Sequence, residues 1–70
     1  MLRKHSVTIN GHGTSYSIED EFQIELSRLA KAREVPVARL IATIDAGRPE
    51  GANLSSAIRL YVLEALRAGK

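Results

Sequence analysis

The stretch SVTINGHGTSYSIEDEF, residues 6–22, decides the fold, because polar and apolar residues alternate on both sides of Asn10-Gly11. One face of this alternation carries Val7, Ile9, Thr14, Tyr16 and Ile18. A period of two indicates strands with one apolar face, and Asn-Gly readily adopts the positive φ angles of a tight turn. The stretch therefore predicts a β-hairpin over about residues 4–18. An isolated hairpin is marginal in water, so helices or a partner chain must cover its apolar face.

Helical spacing follows the hairpin in three segments. Asp20 and Gln23 fit a capping box, with Asp20 as the N-cap of the first helix. Pro36 suits the first position of a second helix, and Asn53 is a good N-cap for a third. The predicted helices cover about residues 20–33, 36–46 and 54–68. The fold class is therefore mainly α with an N-terminal β-ribbon, an α+β arrangement.

The size of the chain indicates how it is stabilised. Its 70 residues form at most one domain, predicted over 1–70, and a core of that size is thin. There is no cysteine for a disulfide, and two histidines are too few for a closed structural zinc site. The apolar arc of the third helix is too wide for one small neighbour, which favours packing against a second copy. We therefore expect a homodimer with no metal or cofactor.

Membrane and catalytic functions find no support in the sequence. No apolar run is long enough to cross a membrane, and the N-terminus lacks a signal-peptide pattern, so we expect a cytoplasmic protein. We find no glycine-rich phosphate loop after a strand and no nucleophile with a recognisable base. His5 and His12 are most simply surface residues of the hairpin. We therefore expect no enzyme activity and no catalytic residues.

Charge is unevenly placed along the chain. Arg3, Lys4, His5 and His12 precede the first acidic residue, whereas acids crowd the segment that follows. The N-terminal arm is thus a small cationic element. A net charge of +2 is a weak signature of nucleic-acid binding, and on charge alone an ordinary solvated tail is the simpler interpretation.

A family resemblance strengthens the nucleic-acid hypothesis. A strand that enters a helix directly, followed by VPVARLIATIDAG and NLSSAIRLYVLEAL, resembles the ribbon-helix-helix family of small bacterial DNA-binding proteins. The combination of GHGTS, IDAGRP and NLSSAIR narrows the resemblance to a group of short bacterial members. The resemblance extends from about Lys4 to Leu66 and includes one helix more than the family name requires.

The resemblance implies an intertwined homodimer whose paired strands enter the major groove of double-stranded DNA. It also implies phosphate binding at a helix N-terminus. Together with the cationic arm, it implies DNA contacts at Arg3, Lys4, Ser15, Ser17, Asn53, Ser55, Ser56 and Arg59. For Arg59, an ion pair with Glu64 is poorly spaced, so we expect solvent or an anion as its partner.

Several alternatives stay open at this point. The outer face of the ribbon is formed either by Gly13, Ser15 and Ser17 or by the polar residues of the first strand, Lys4, Ser6 and Thr8. Serines in a first helical turn also occur simply because they satisfy backbone donors. Spacing favours the second helix as the counterpart of the family's second helix, while the Ser-Ser-x-x-Arg pattern favours the third.

Two functions follow from these observations. The first is a DNA-binding transcriptional regulator. The second is a protein-interaction or antitoxin-like adaptor module that keeps the dimer scaffold without binding DNA. The second is motivated by the lack of a basic outer face on the ribbon, where typical repressors of the family carry arginine, lysine or glutamine.

Overall fold

A computed structural model describes residues 1–69. The elements are β1 (Leu2–Ile9), β2 (His12–Glu19), α1 (Asp20–Ala32), α2 (Val37–Gly47) and α3 (Leu54–Ala68). The strands form a two-stranded antiparallel hairpin, and each helix contacts this hairpin and the other two helices. The predicted α+β architecture of a ribbon followed by helices is therefore confirmed.

The hairpin turn uses the backbone conformations that its two residues favour. Asn10 has φ 52° and Gly11 has φ 82°, both in the left-handed region. This two-residue turn pairs Ile9 with His12 and keeps an unbroken register to Leu2 opposite Glu19. The strands therefore extend one or two residues beyond the predicted limits of about 4–18.

One face of the hairpin is buried beneath the helices. Ile9, Tyr16 and Ile18 belong to the core, whereas Thr14, predicted on the same face, is exposed. The Tyr16 hydroxyl donates a hydrogen bond of 2.9 Å to Gln23 Oε1, and its ring stacks on His5 with centroids 5.1 Å apart. Burial raises the pKa of Tyr16, and the Gln23 hydrogen bond opposes that rise. The hydroxyl of the buried Tyr16 therefore has a partner within the chain. The Nε2 atom of His5 is buried and has no hydrogen-bond partner in residues 1–69.

The predicted capping box at the start of α1 is wrong. The N-cap is Glu19, whose extended backbone continues β2, and its side chain makes no capping hydrogen bond. Asp20 is the first helical residue and binds Arg3, while Gln23 accepts from Tyr16. Because the strand runs into the helix without a loop, these side chains are engaged by the hairpin instead of the helix end. The acids still suit the positive end of the helix dipole.

The other helix ends follow local rules more closely. Pro36 is the N-cap of α2 and therefore lies one position before its predicted place. Asn53 caps α3 as predicted, accepting a 2.8 Å hydrogen bond from the Ser56 N–H. At the end of α1, Glu34 takes φ 58° and Val35 N–H bonds to the Ala30 carbonyl. This Schellman-type turn directs the chain into α2.

The core lies between the hairpin and the three helices. Its buried members are Ile9, Tyr16, Ile18, Leu26, Ala30, Leu40, Ile41, Ile44, Leu54, Ile58 and Val62. In α3, Ile58 and Val62 are 0 % exposed, whereas Leu60 is 61 % exposed. The wide apolar arc predicted for α3 therefore has one side in the core and another side at the surface.

Replacing Ile58 with aspartate should unfold the chain. A domain of this size has a free energy of unfolding of only about 4–10 kcal/mol. An unpaired carboxylate in the core lowers that free energy by several kcal/mol. Circular dichroism of the Ile58→Asp variant should show loss of helix, whereas Leu60→Asp, the same change at an exposed position of α3, should stay folded. A soluble, fully helical Ile58→Asp monomer would contradict this expectation.

Candidate nucleic-acid interface

The face of the ribbon that points away from the helices is the candidate interface. Its residues alternate with the buried ones along both strands, and they include Lys4, Ser6, Thr8, Gly13, Ser15 and Ser17. Five of these residues are exposed, and Ser17 is half-buried. Both alternatives for the outer face are therefore realised together, since the two predicted sets lie side by side in one surface.

The chemistry of this outer ribbon face is polar and weakly charged. Lys4 is its one cation, and it lies opposite Ser17 in the strand register. Ser6 and Ser15 form the next cross-strand pair, so hydroxyl groups occupy the middle of the face. A hydroxyl can donate or accept a hydrogen bond, which suits contacts to several different base edges.

Arg3 is held at the junction between the ribbon and α1. Its Nε lies 2.9 Å from Asp20 Oδ1, and its Nη2 lies 3.2 Å from Asp20 Oδ2, so the pair is bidentate. The hydrogen bond from Arg3 lowers the pKa of the Asp20 carboxyl. Arg3 is therefore neutralised locally, although both side chains remain exposed to solvent.

Arg59 has an anionic partner within the chain, the carboxylate of Glu19. Its Nε donates to Glu19 Oε1 at 3.0 Å, its Nη2 lies 3.4 Å from the Ser17 carbonyl oxygen, and its guanidinium lies 5.9 Å from the Phe22 ring centroid. The hydrogen bond from Arg59 lowers the pKa of Glu19. Arg59 thus joins α3 to the end of the ribbon.

The start of α3 also binds the ribbon. Ser55 Oγ accepts a 2.9 Å hydrogen bond from the Ser17 backbone N–H, while Asn53 is engaged in capping the helix. Ser56 is exposed, and within residues 1–69 its hydroxyl has no hydrogen-bond partner. The structure therefore brings Ser17, Ser55 and Arg59 together, with Lys4 opposite Ser17 in the hairpin, and it gives Ser55 and Arg59 structural partners.

Comparison with known proteins agrees with this architecture. The model of the ribbon-helix-helix domain family matches residues 2–66. The chain belongs to the ribbon-helix-helix family. Members of this family are generally DNA-binding transcription regulators or antitoxins, and they typically form dimers. No curated protein and no solved structure shows significant similarity to the chain.

Two further findings bear on other functions of this ribbon-helix-helix domain. In the part of the chain that the structure describes, no helix has the length and apolar character needed to cross a membrane. Residues 1–69 also contain no group of three or more histidine or acidic side chains placed to hold a metal ion.

Glu19 and Asp20 are the residues that sequence reasoning missed. Arg3 lies opposite Ile18 in the hairpin register, so the register itself would have placed it near Asp20. Glu19 and Arg59 are 40 residues apart, and no local spacing rule connects them. The hairpin register therefore contains the signal for the Arg3–Asp20 pair, whereas the Glu19–Arg59 pair can be found only from the tertiary fold.

Acid should weaken the fold partly through Glu19. Since its pKa is lowered in the folded chain, the stabilisation by its pair with Arg59 is complete above the ordinary glutamate pKa. That stabilisation is lost as the pH falls through the lowered value. Thermal melts should show that Glu19→Gln makes the melting temperature fall less steeply below about pH 5. Glu50→Gln, which removes a carboxylate of the exposed connector, should keep the parent's slope, and equal slopes in Glu19→Gln and parent would disprove the coupling.

Ser55→Ala should destabilise the chain by about 1 kcal/mol, because the Ser17 N–H loses its partner. Urea unfolding measures the change. Ser56→Ala, the matched change at the adjacent exposed serine, should alter stability by less than about 0.5 kcal/mol. Unchanged stability in Ser55→Ala would show that the bond between α3 and the ribbon is energetically unimportant.

Proposed function

We propose that the chain is a cytoplasmic homodimeric transcriptional regulator that places its outer ribbon face in the major groove of double-stranded DNA. The observation that carries the proposal is this face itself: an exposed antiparallel ribbon lined with hydroxyls and Lys4, which no helix covers. A two-stranded ribbon fits the width of the major groove. Membership of a family that generally binds DNA supports the same assignment.

The proposed base contacts come from the middle of the face. Ser6, Thr8, Ser15 and Ser17 carry hydroxyls that reach base edges without imposing a single donor or acceptor pattern. Lys4 contributes either a contact to guanine acceptors or a phosphate contact at the edge of the groove. Recognition by such a surface would be permissive at individual base pairs.

The proposed phosphate contacts surround this face. Arg3 uses two of its N–H donors on Asp20 and retains others toward solvent. At the start of α3, we assign direct phosphate contact to Ser56, while Asn53 caps the helix and Ser55 and Arg59 hold it against the ribbon. This division of roles follows from which side chains already have partners.

A second candidate function is supported by a different surface. Ile24, Leu60, Leu63 and Leu66 are large apolar residues that remain exposed. Arg3 and Arg59 are also paired with carboxylates, which favours a second candidate, an antitoxin-like or adaptor module that binds another protein through these apolar residues. Co-purification of a stoichiometric partner that protects Ile24 or Leu63 would favour this second function.

Fluorescence anisotropy with DNA duplexes tests the primary proposal. Genomic fragments enriched on the protein should bind more tightly than random duplexes of equal length, and affinity should fall as salt rises from 50 to 200 mM, a range over which phosphate contacts are weakened. Lys4→Ala should weaken binding and, for a dimer, reduce the magnitude of the log-log salt slope by about 2 if both lysines contact phosphate.

Lys31→Ala is the matched control, since Lys31 is exposed in the last turn of α1, at the end opposite the ribbon. This variant should bind DNA as the parent does. Binding to enriched fragments no tighter than to random DNA at low salt would reject the proposal. Equal loss of affinity in both lysine variants would show attraction by net charge instead of a ribbon contact.

A further inference from the structure

The backbone of the ribbon has two edges, and the hydrogen bonds of Ser17 show how they are oriented. The Ser17 N–H donates to Ser55 Oγ, and its carbonyl accepts from Arg59, so both groups point away from β1. In an antiparallel pair, residues opposite each other orient their backbone groups alike, and the orientation alternates along each strand. Lys4, which lies opposite Ser17, therefore directs its N–H and carbonyl away from β2.

The same alternation identifies every residue that faces an edge. Along β1 these residues are Leu2, Lys4, Ser6 and Thr8, and along β2 they are Gly13, Ser15, Ser17 and Glu19. The pairing of Ile9 with His12 beside a two-residue turn agrees with this assignment, since such a turn is closed by a hydrogen-bonded pair.

The edge of β2 is partly occupied by α3. Both backbone groups of Ser17 have partners on that helix, and Arg59 also holds Glu19 at the end of the strand. A strand added along this edge would have to break these contacts or stop after Ser15. Within residues 1–69, Gly13 and Ser15 are the residues of this edge whose outward backbone groups have no partner, and two residues are too short a ladder for stable pairing.

The outward backbone groups of β1 have no hydrogen-bond partners in the described part of the chain, although α2 packs against this strand. Within residues 1–69, no hydrogen bond reaches the outward N–H or carbonyl groups of Leu2, Lys4, Ser6 or Thr8. The strand has no proline, and its register with β2 contains no bulge. Proteins usually protect edges by such devices or by charged side chains, of which β1 carries Arg3 and Lys4. An edge whose backbone groups lack partners is nevertheless a template for strand addition.

We propose that two copies of the chain join through their β1 edges, so that the homodimer contains a continuous four-stranded sheet in the order β2, β1, partner β1, partner β2. This inference rests on the proposed homodimer and specifies its interface. It departs from the arrangement implied by typical family members, in which the strand that enters the first helix forms the ribbon between chains. Here that strand, β2, lies between β1 and α3.

A second copy fits this edge better than an unrelated strand does. Two identical antiparallel strands centred on Ser6 place Ser6 opposite the partner's Ser6 and Lys4 opposite the partner's Thr8. This register keeps the two lysine charges from lying directly opposite each other, a pairing that destabilises sheets. The chain also exposes 4939 Å², compared with about 4,300 Å² expected for a folded monomer of its mass, so it carries surface available for burial.

The inferred sheet changes which side chains lie at the centre of the outer face. Lys4, Ser6 and Thr8 of both chains would flank the two-fold axis, while Ser15 and Ser17 would lie one strand further out on each side. Because the major groove admits two strands, the paired β1 strands would form the ribbon that enters it. Ser15 and Ser17 would then lie at the sides of the groove, toward the phosphates, in place of the base contacts that a single-chain ribbon would give them.

Amide hydrogen exchange of the unmodified ¹⁵N-labelled chain tests the inference. Exchange is measured at low and high protein concentration, with oligomeric state determined by light scattering. The amides of Lys4, Ser6 and Thr8 should slow by at least about tenfold on dimerisation, while those of Gly13 and Ser15 stay fast. The Ser17 amide should be protected at both concentrations because of Ser55.

Two proline variants provide a matched comparison. Ser6→Pro and Ser15→Pro each remove one outward N–H at cross-strand partner positions, a site where an edge strand tolerates proline. Ser6→Pro should convert dimer to monomer at a concentration where Ser15→Pro and the parent remain dimeric. If either variant fails to fold, the exchange measurement on the unmodified chain still decides the question.

Three results would overturn the inference: protection of Gly13 and Ser15 in place of the β1 amides, a dimer in which both edges exchange rapidly, or a chain that stays monomeric at high concentration. DNA titration of the same samples separates this outcome from the proposed function. Sequence-specific binding by a dimer with an open β1 edge would preserve the function and reject the interface, whereas a β1-linked dimer that ignores DNA would do the reverse.

Discussion

The hairpin must have one face covered, and the rest of the structure depends on this constraint. A two-stranded ribbon is marginal in water, so Tyr16 and Ile18 need apolar neighbours, which α1 and α3 supply through residues such as Leu26 and Ile58. Because side chains alternate across a strand, burial of one face directs the polar residues of both strands to the other. The open polar face is thus a consequence of how the core is built.

Helix α3 contributes residues to the core and also binds the backbone at one edge of the ribbon. Its Ile58 and Val62 are fully buried, and from the same helix Ser55 and Arg59 reach the backbone of Ser17. The packing that stabilises the monomer therefore also occupies the edge of β2. The proposed dimer therefore uses β1, whereas in typical family members the strand that enters the first helix joins the two chains.

Sequence reasoning located the elements well because their signals are local. Alternation around Asn10-Gly11 predicted the hairpin, and Asn53 was correctly identified as the cap of α3. The predicted capping box at Asp20 is wrong because β2 runs directly into α1, so that Glu19 is the N-cap and Asp20 pairs with Arg3 of the neighbouring strand. The pairing of Arg59 with Glu19 depends on tertiary structure and has no signature in spacing. The DNA contacts and the dimer stay predictions, since they concern partners that a single chain does not contain.

The two proposed functions differ in what would supply the free energy of binding, and the placement of charged residues shows this difference. Phosphate neutralisation supplies much of the affinity of most DNA-binding proteins. Here the charges of Arg3 and Arg59 are partly balanced by their carboxylate partners, even though Arg3 keeps free donors, and Lys4 is the cation of the outer ribbon face. A DNA complex would consequently depend on hydroxyl contacts and on the shape of the ribbon, with a shallow salt dependence. A protein complex would depend on apolar residues of α3 such as Leu63, where salt has little influence. A weak salt slope alone therefore cannot decide between them, and preference for particular DNA sequences is the property that only the first function produces.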